Sequence, residues 1–158
     1  MPALFRHADG ALPNTLALAV TVLGWPAGIW MLGQSAWWLN AAGVLLVTLS
    51  LTWSAYFIHE FAHQLDQEKG HANGAPDLVD AQRYPRWSRV LGQEYGLLQE
   101  RLANQEPTLL DPYAATDPAE FFAVSSEVFF EQPHHLAAHH PELYGELSRY
   151  YRIDPRSW

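Results

Sequence analysis

The chain has 158 residues, one domain's worth, with 17 acidic and 9 basic side chains and a formal net charge of −8. It has no cysteine, which excludes disulfides, zinc-thiolate sites and cysteine nucleophiles. The acidic balance argues against nucleic acid as a partner. The charge is unevenly spread. From Ala11 to Ile58, 48 consecutive residues carry no Asp, Glu, Lys, Arg or His. Apart from Arg6 and Asp9, every Asp, Glu, Lys and Arg lies from Glu60 onward. Five of the seven tryptophans fall within the first 58 residues.

A bilayer core of about 30 Å needs roughly 20 apolar residues as a helix. The uncharged stretch has room for two such spans, one from about Leu16 to Leu32 with a kink at Pro26, the other from Leu39 to Ile58. Gly33 to Trp38 reads as the turn between them, with tryptophan at the far interface. Ala17, Ala19, Gly24 and Gly28 on the first span and Ala41, Ala42 and Gly43 on the second allow close helix approach. A hairpin leaves both ends on one side. The turn has no Lys or Arg, whereas the flanks carry Arg6, Lys69, Arg83, Arg86 and Arg89, so the positive-inside bias predicts a cytoplasmic C-terminal part.

The polar part predicts helices and loops, with no strand. The second span continues without a breaker to about Lys69, where Gly70 stops it. Residues 71–82 read as loop. Trp87, Val90, Leu91, Tyr95, Leu98 and Leu102 recur at helical spacing between about Pro85 and Asn104. Residues 105–116 read as loop again. Asp117-Pro118-Ala119-Glu120 is a helix start, and that helix ends before Pro133. His134 to His140 reads as a surface helix, and a last helix from about Pro141 to Tyr151 buries Leu143, Tyr144, Leu147 and Tyr151. The expected fold is mainly α: a two-helix transmembrane hairpin over residues 1–58, then a small helical catalytic domain over 59–158.

His59-Glu60-Phe61-Ala62-His63 carries the chemistry. Histidines at i and i+4 share a helix face and can both reach one zinc ion, while Glu60 stands beside them to act on a water. Catalytic zinc takes a third protein ligand and keeps one position open. Glu120 offers a carboxylate at the start of an aromatic-rich helix, although a capping-box glutamate belongs at the same position. Glu127 lies two turns further along that face and reads equally as a solvent-facing charge.

Several segments occur together in order: His59 to Asp66; Asn73-Gly74-Ala75-Pro76; Leu110 to Glu127; Phe129-Phe130-Glu131; Pro141 to Tyr144; and Asp154-Pro155. Over about residues 58–155 they resemble the Mlc titration factor A family of zinc metallopeptidases. That active site is also similar to the catalytic domain of anthrax lethal factor, whose Tyr-x6-Glu spacing is reproduced by Tyr113 and Glu120. The resemblance implies a zincin-like fold and a peptide or protein substrate. It implies Zn2+ bound by His59, His63 and Glu120, with Glu60 as general base. It makes Tyr113 the donor to the oxyanion and Glu127 the carboxylate that orients a zinc-bound histidine. It also implies a transcriptional repressor as a partner. The family carries a soluble region before HExxH, where this chain has its apolar stretch.

The expected protein is therefore a membrane-anchored zinc peptidase, in contact with lipid, with its catalytic part in the cytoplasm. Two alternatives belong to other classes. One is a membrane di-iron hydroxylase or desaturase, using His59/His63 as one box and His135/His139/His140 as another; such sites need about eight histidines in three boxes, and the chain has eight in all. The other is a non-catalytic, zinc-containing module that binds a regulator.

Overall fold

The computed structural model describes residue 19, residues 22–68 and residues 73–158. The chain divides into two compact units, Met1–Phe57 and Ile58–Trp158. Among the described residues all regular structure is helical.

In the first unit, helix α1 covers Val22–Leu32, and α2 starts at Trp37 and runs as one helix to Gln67. Trp37 and Trp38 therefore belong to the helix and not to the turn, which is closed by Gly33 N–H donating to the Trp30 carbonyl. Glycines set the contact between the two helices. A Cβ on Gly28 would lie 2.7 Å from Val47 Cγ2, and one on Gly43 would lie 2.8 Å from the Gly28 carbonyl oxygen. Gly24 meets Ser50, so the register runs antiparallel. Gly24, Gly28 and Gly43 thus allow the close approach that the sequence predicts.

The described residues bear on the two-span expectation only in part. One described helix, α2, is long and apolar enough to cross a membrane, and only 12% of its most apolar window is buried. The described part of α1, Val22–Leu32, is by itself shorter than a span requires. The expected first span from Leu16 lies partly outside the described residues.

The second unit packs α3 (Tyr84–Ala103), α4 (Pro118–Glu131), α5 (Pro133–His139) and α6 (Pro141–Tyr151) with the last turns of α2. Short 3-10 turns at Ala81–Arg83, Pro112–Ala115 and Pro155–Ser157 punctuate the connections. Helix α4 is the centre. Ala119, Phe121, Phe122, Ala123, Val124, Ser125, Ser126, Val128 and Phe129 are all buried, as expected of a helix surrounded by others. Of its two interior serines, Ser126 is satisfied within the core, where its Oγ donates to the Phe122 carbonyl and accepts from Tyr151 Oη. Around α4 the rings of Trp87, Phe122 and Tyr150 lie 5.5–5.8 Å apart, within the range of favourable edge-to-face contacts. Burial lifts the Tyr151 hydroxyl to about 12, partly offset by its Ser126 hydrogen bond. Glu146 is buried too, and Arg86 Nε and Arg149 Nη1 both reach its Oε1 at 2.5 Å.

Candidate metal centre

Two elements of the second unit supply the site: the end of α2 and the start of α4. Helix α2 carries His59, Glu60 and His63 one turn apart. Helix α4 begins where Asp117 caps it: the Asp117 carboxylate accepts from the N–H groups of Ala119 and Glu120, and Pro118 occupies the first turn. Capping is thus done by Asp117. The Glu120 side chain points elsewhere, with Oε1 accepting from the Tyr113 hydroxyl at 3.2 Å and Oε2 facing both histidines.

Three atoms converge. His59 Nε2 and His63 Nε2 are 3.1 Å apart, and Glu120 Oε2 is 3.2 Å from the first and 3.3 Å from the second. Among the described residues this trio is the group able to hold a metal ion. All three side chains are 16–18% exposed, recessed but open to solvent. A tetrahedral zinc with ligands at about 2.0–2.1 Å has ligand–ligand edges of about 3.3 Å, so the spacing fits that ion. Two imidazoles and a carboxylate also match its preference for nitrogen and oxygen donors.

The surroundings prepare these donors. Glu127, two turns beyond Glu120 on α4, takes a 2.6 Å hydrogen bond from His59 Nδ1. A carboxylate accepts this bond from Nδ1–H, which leaves Nε2 turned toward the other two donors. That hydrogen bond raises His59 above the usual imidazole value, against an opposing pull from burial; the charges of Glu127, Glu120 and Glu60 add to the rise. Glu60 itself is half-buried. Tyr113 is 53% exposed, and the charge of Glu120 raises its pKa, which keeps the phenol protonated as a donor. Its 3-10 turn is fixed by Asp111, which accepts from Tyr113 N–H at 2.8 Å, and by Tyr95 Oη, which donates to the Ala115 carbonyl at 3.0 Å.

The structure thus brings together His59, His63, Glu120, Glu127 and Tyr113, with Glu60 adjacent. His135, His139 and His140 do not join them. His139 Nδ1 bonds the His135 carbonyl, and His140 pairs with Glu94 at 2.7 Å, so the second box of the di-iron reading is not assembled at this centre. Sequence reasoning passed over Asp111 and Tyr95. An aspartate directly before Pro112 is a turn signal that marks the first of them; for Tyr95, helical periodicity reveals a buried ring but not where its hydroxyl goes.

The chain is 40% identical over 126 residues to an uncharacterized protein of Synechocystis sp., covering 75% of this chain and 46% of that protein. It is 41% identical over 108 residues to Mlc titration factor A of Pectobacterium atrosepticum, covering 64% of this chain and 40% of the relative. Against Mlc titration factor A of Edwardsiella ictaluri the values are 40% over 101 residues, 62% and 38%. The chain spans less than half the length of these curated relatives. The family model for the glucose-regulated metallo-peptidase M90 matches residues 50–152, and the chain belongs to that family.

Proposed function

We propose that the protein is a membrane-anchored zinc peptidase with its catalytic part on the cytoplasmic side. The observation that carries the catalytic reading is the convergence of His59 Nε2, His63 Nε2 and Glu120 Oε2 at 3.1–3.3 Å, with a phenol and a second carboxylate placed around them. In this reading His59, His63 and Glu120 hold the ion. Zinc, when bound, supplies Lewis acidity to a water and to the scissile carbonyl. Glu60 takes the proton from the attacking water and passes it to the leaving amine. The Tyr113 hydroxyl donates to the oxygen on which negative charge develops. Glu127 keeps the His59 ring in the tautomer and orientation that present Nε2.

The membrane part of the proposal rests on the uncharged 48-residue stretch and on the length and exposure of α2. A second reading, a module that binds a transcriptional regulator, draws on the titration-factor name carried by two of the relatives.

One experiment separates the two. Zinc content and cleavage of an unblocked peptide are measured on the detergent-purified chain, on Glu60→Gln and on His63→Ala. One zinc per wild-type chain, full zinc but no turnover in Glu60→Gln, and loss of most zinc in His63→Ala are expected. An empty Glu60→Gln site overturns the role given to Glu60. A wild type with zinc but no turnover favours the binding module.

A further inference from the structure

The metal ligands come from two helices, and something must hold those helices in register. Apolar packing is not directional. A metal site, however, needs its donors within about 0.5 Å of the right place. One backbone position touches all the elements concerned. Gly74 N–H donates to Asp66 Oδ2 at 2.7 Å, and Asp66 lies on α2 one turn beyond His63. The Gly74 carbonyl accepts from Trp87 Nε1 of α3 at 2.8 Å. The Gly74 Cα lies against Pro118, the first residue of α4: an added Cβ would strike the Pro118 carbonyl, and its φ of +75° already disfavours other residues. Glu120 stands two residues beyond Pro118.

Asp66 is an expensive residue in that place. It is 4% exposed, it lies at the C-terminal end of a helix, where the backbone dipole opposes a negative charge, and its Oδ1 is buried without a partner among the described residues. An apolar residue there avoids all three costs. What it lacks is an acceptor for Gly74.

We propose that Asp66 and Gly74 are positioning residues that set Glu120 opposite His59 and His63, so that the metal-binding distance between α2 and α4 is fixed by this link. The inference rests on the reading of His59, His63 and Glu120 as the zinc ligands. Asp66 touches no reacting atom; it acts through Gly74 and Pro118.

The test measures zinc affinity, by competition with a chromophoric chelator, and the melting temperature of the zinc-free chain in detergent. The variants are Asp66→Ala, Asp66→Asn, Gly74→Ala and Leu136→Ala. Leu136, fully buried on α5, is a control for lost stability alone. Asp66→Ala and Gly74→Ala are expected to weaken zinc binding about 10- to 100-fold, the usual loss when a support behind a ligand is removed. Asp66→Asn keeps an acceptor for Gly74 N–H and is expected to restore affinity close to wild type. Leu136→Ala is expected to melt earlier with zinc affinity unchanged. Wild-type zinc affinity in Asp66→Ala overturns the proposal, as does a zinc loss in Leu136→Ala matching its drop in melting temperature. Should Gly74→Ala fail to fold, the two Asp66 variants decide the matter. A wild type that binds no zinc overturns the ligand assignment itself, and with it this inference.

Discussion

At the scale of single residues, Glu120 has two roles open to it from sequence, and the two make different predictions. A capping glutamate can be replaced by glutamine with little effect, since both serve at that helix position. A metal ligand cannot, because a neutral amide oxygen replaces an anionic donor. With Asp117 already accepting from the first N–H groups of α4, Glu120→Gln is expected to keep the fold and weaken zinc binding, measured by metal content and circular dichroism. Full zinc in that variant overturns Glu120 as the third ligand. Tyr113→Phe is expected to behave differently, keeping zinc and substrate affinity while turnover falls about 10²- to 10³-fold, the usual cost of losing one oxyanion donor. The histidines were legible from spacing alone, because i and i+4 share a face on any helix. Glu120 and Glu127 were not. Their separation of two turns shows that they share a face, but not which neighbour that face meets, and the contact from His59 to Glu127 spans 68 positions of sequence.

At the scale of elements, helices announced by their own punctuation are legible in the sequence. The Asp117-Pro118 start of α4 and the Pro141 start of α6 need only local chemistry, and the periodic apolar positions of α3 found its buried face. The loops hid more. Asp80 N–H donates to the Leu78 carbonyl at 2.7 Å, a γ-turn that holds Val79 at φ +64°. That conformation is strained for a β-branched residue. Val79 is 80% exposed, so its side chain has little packing to lose. Val79→Gly, which leaves no Cβ to clash at this φ, is therefore expected to stabilise the protein by about 1 kcal/mol, seen as a higher melting temperature. The C-terminal turn carries a pH-dependent counterpart. The Arg156 guanidinium and the Tyr144 hydroxyl bond Asp154 and hold its carboxyl well below the ordinary carboxylate range. A depressed folded-state pKa contributes stability that is present above the unfolded value, near 4, and is lost as pH falls through the folded value. Melting followed from pH 6 down to pH 2 is expected to fall less steeply in Asp154→Asn than in the wild type. Equal slopes would show that this turn adds nothing to acid sensitivity.

At the scale of the whole molecule, the apolar stretch and the metal-site sequence share helix α2, with no charged residue between Ala11 and Ile58. Composition made that stretch visible at once. Which of its helices are long enough to cross a membrane depends on where backbone hydrogen bonds stop, which composition does not state. Helix α2 leaves Trp37, Val44, Leu45 and Leu51 more than half exposed, an arrangement that costs free energy in water and none in hydrocarbon. The protein is accordingly expected to sediment with phospholipid vesicles and to resist carbonate extraction. Leu49, 42% exposed near the middle of the uncharged part of α2, is the place to test it. An arginine at a span centre costs about 2.5–3.5 kcal/mol on insertion scales, roughly a 100-fold shift in partitioning. Leu49→Arg should therefore move a measurable fraction of the chain out of the carbonate-resistant pellet. A polar substitution at the exposed Leu97 of α3 serves as the control and should not. If the wild type instead runs as a monodisperse monomer without detergent, α2 does not cross a bilayer, and the peptidase reading must stand on the metal centre alone.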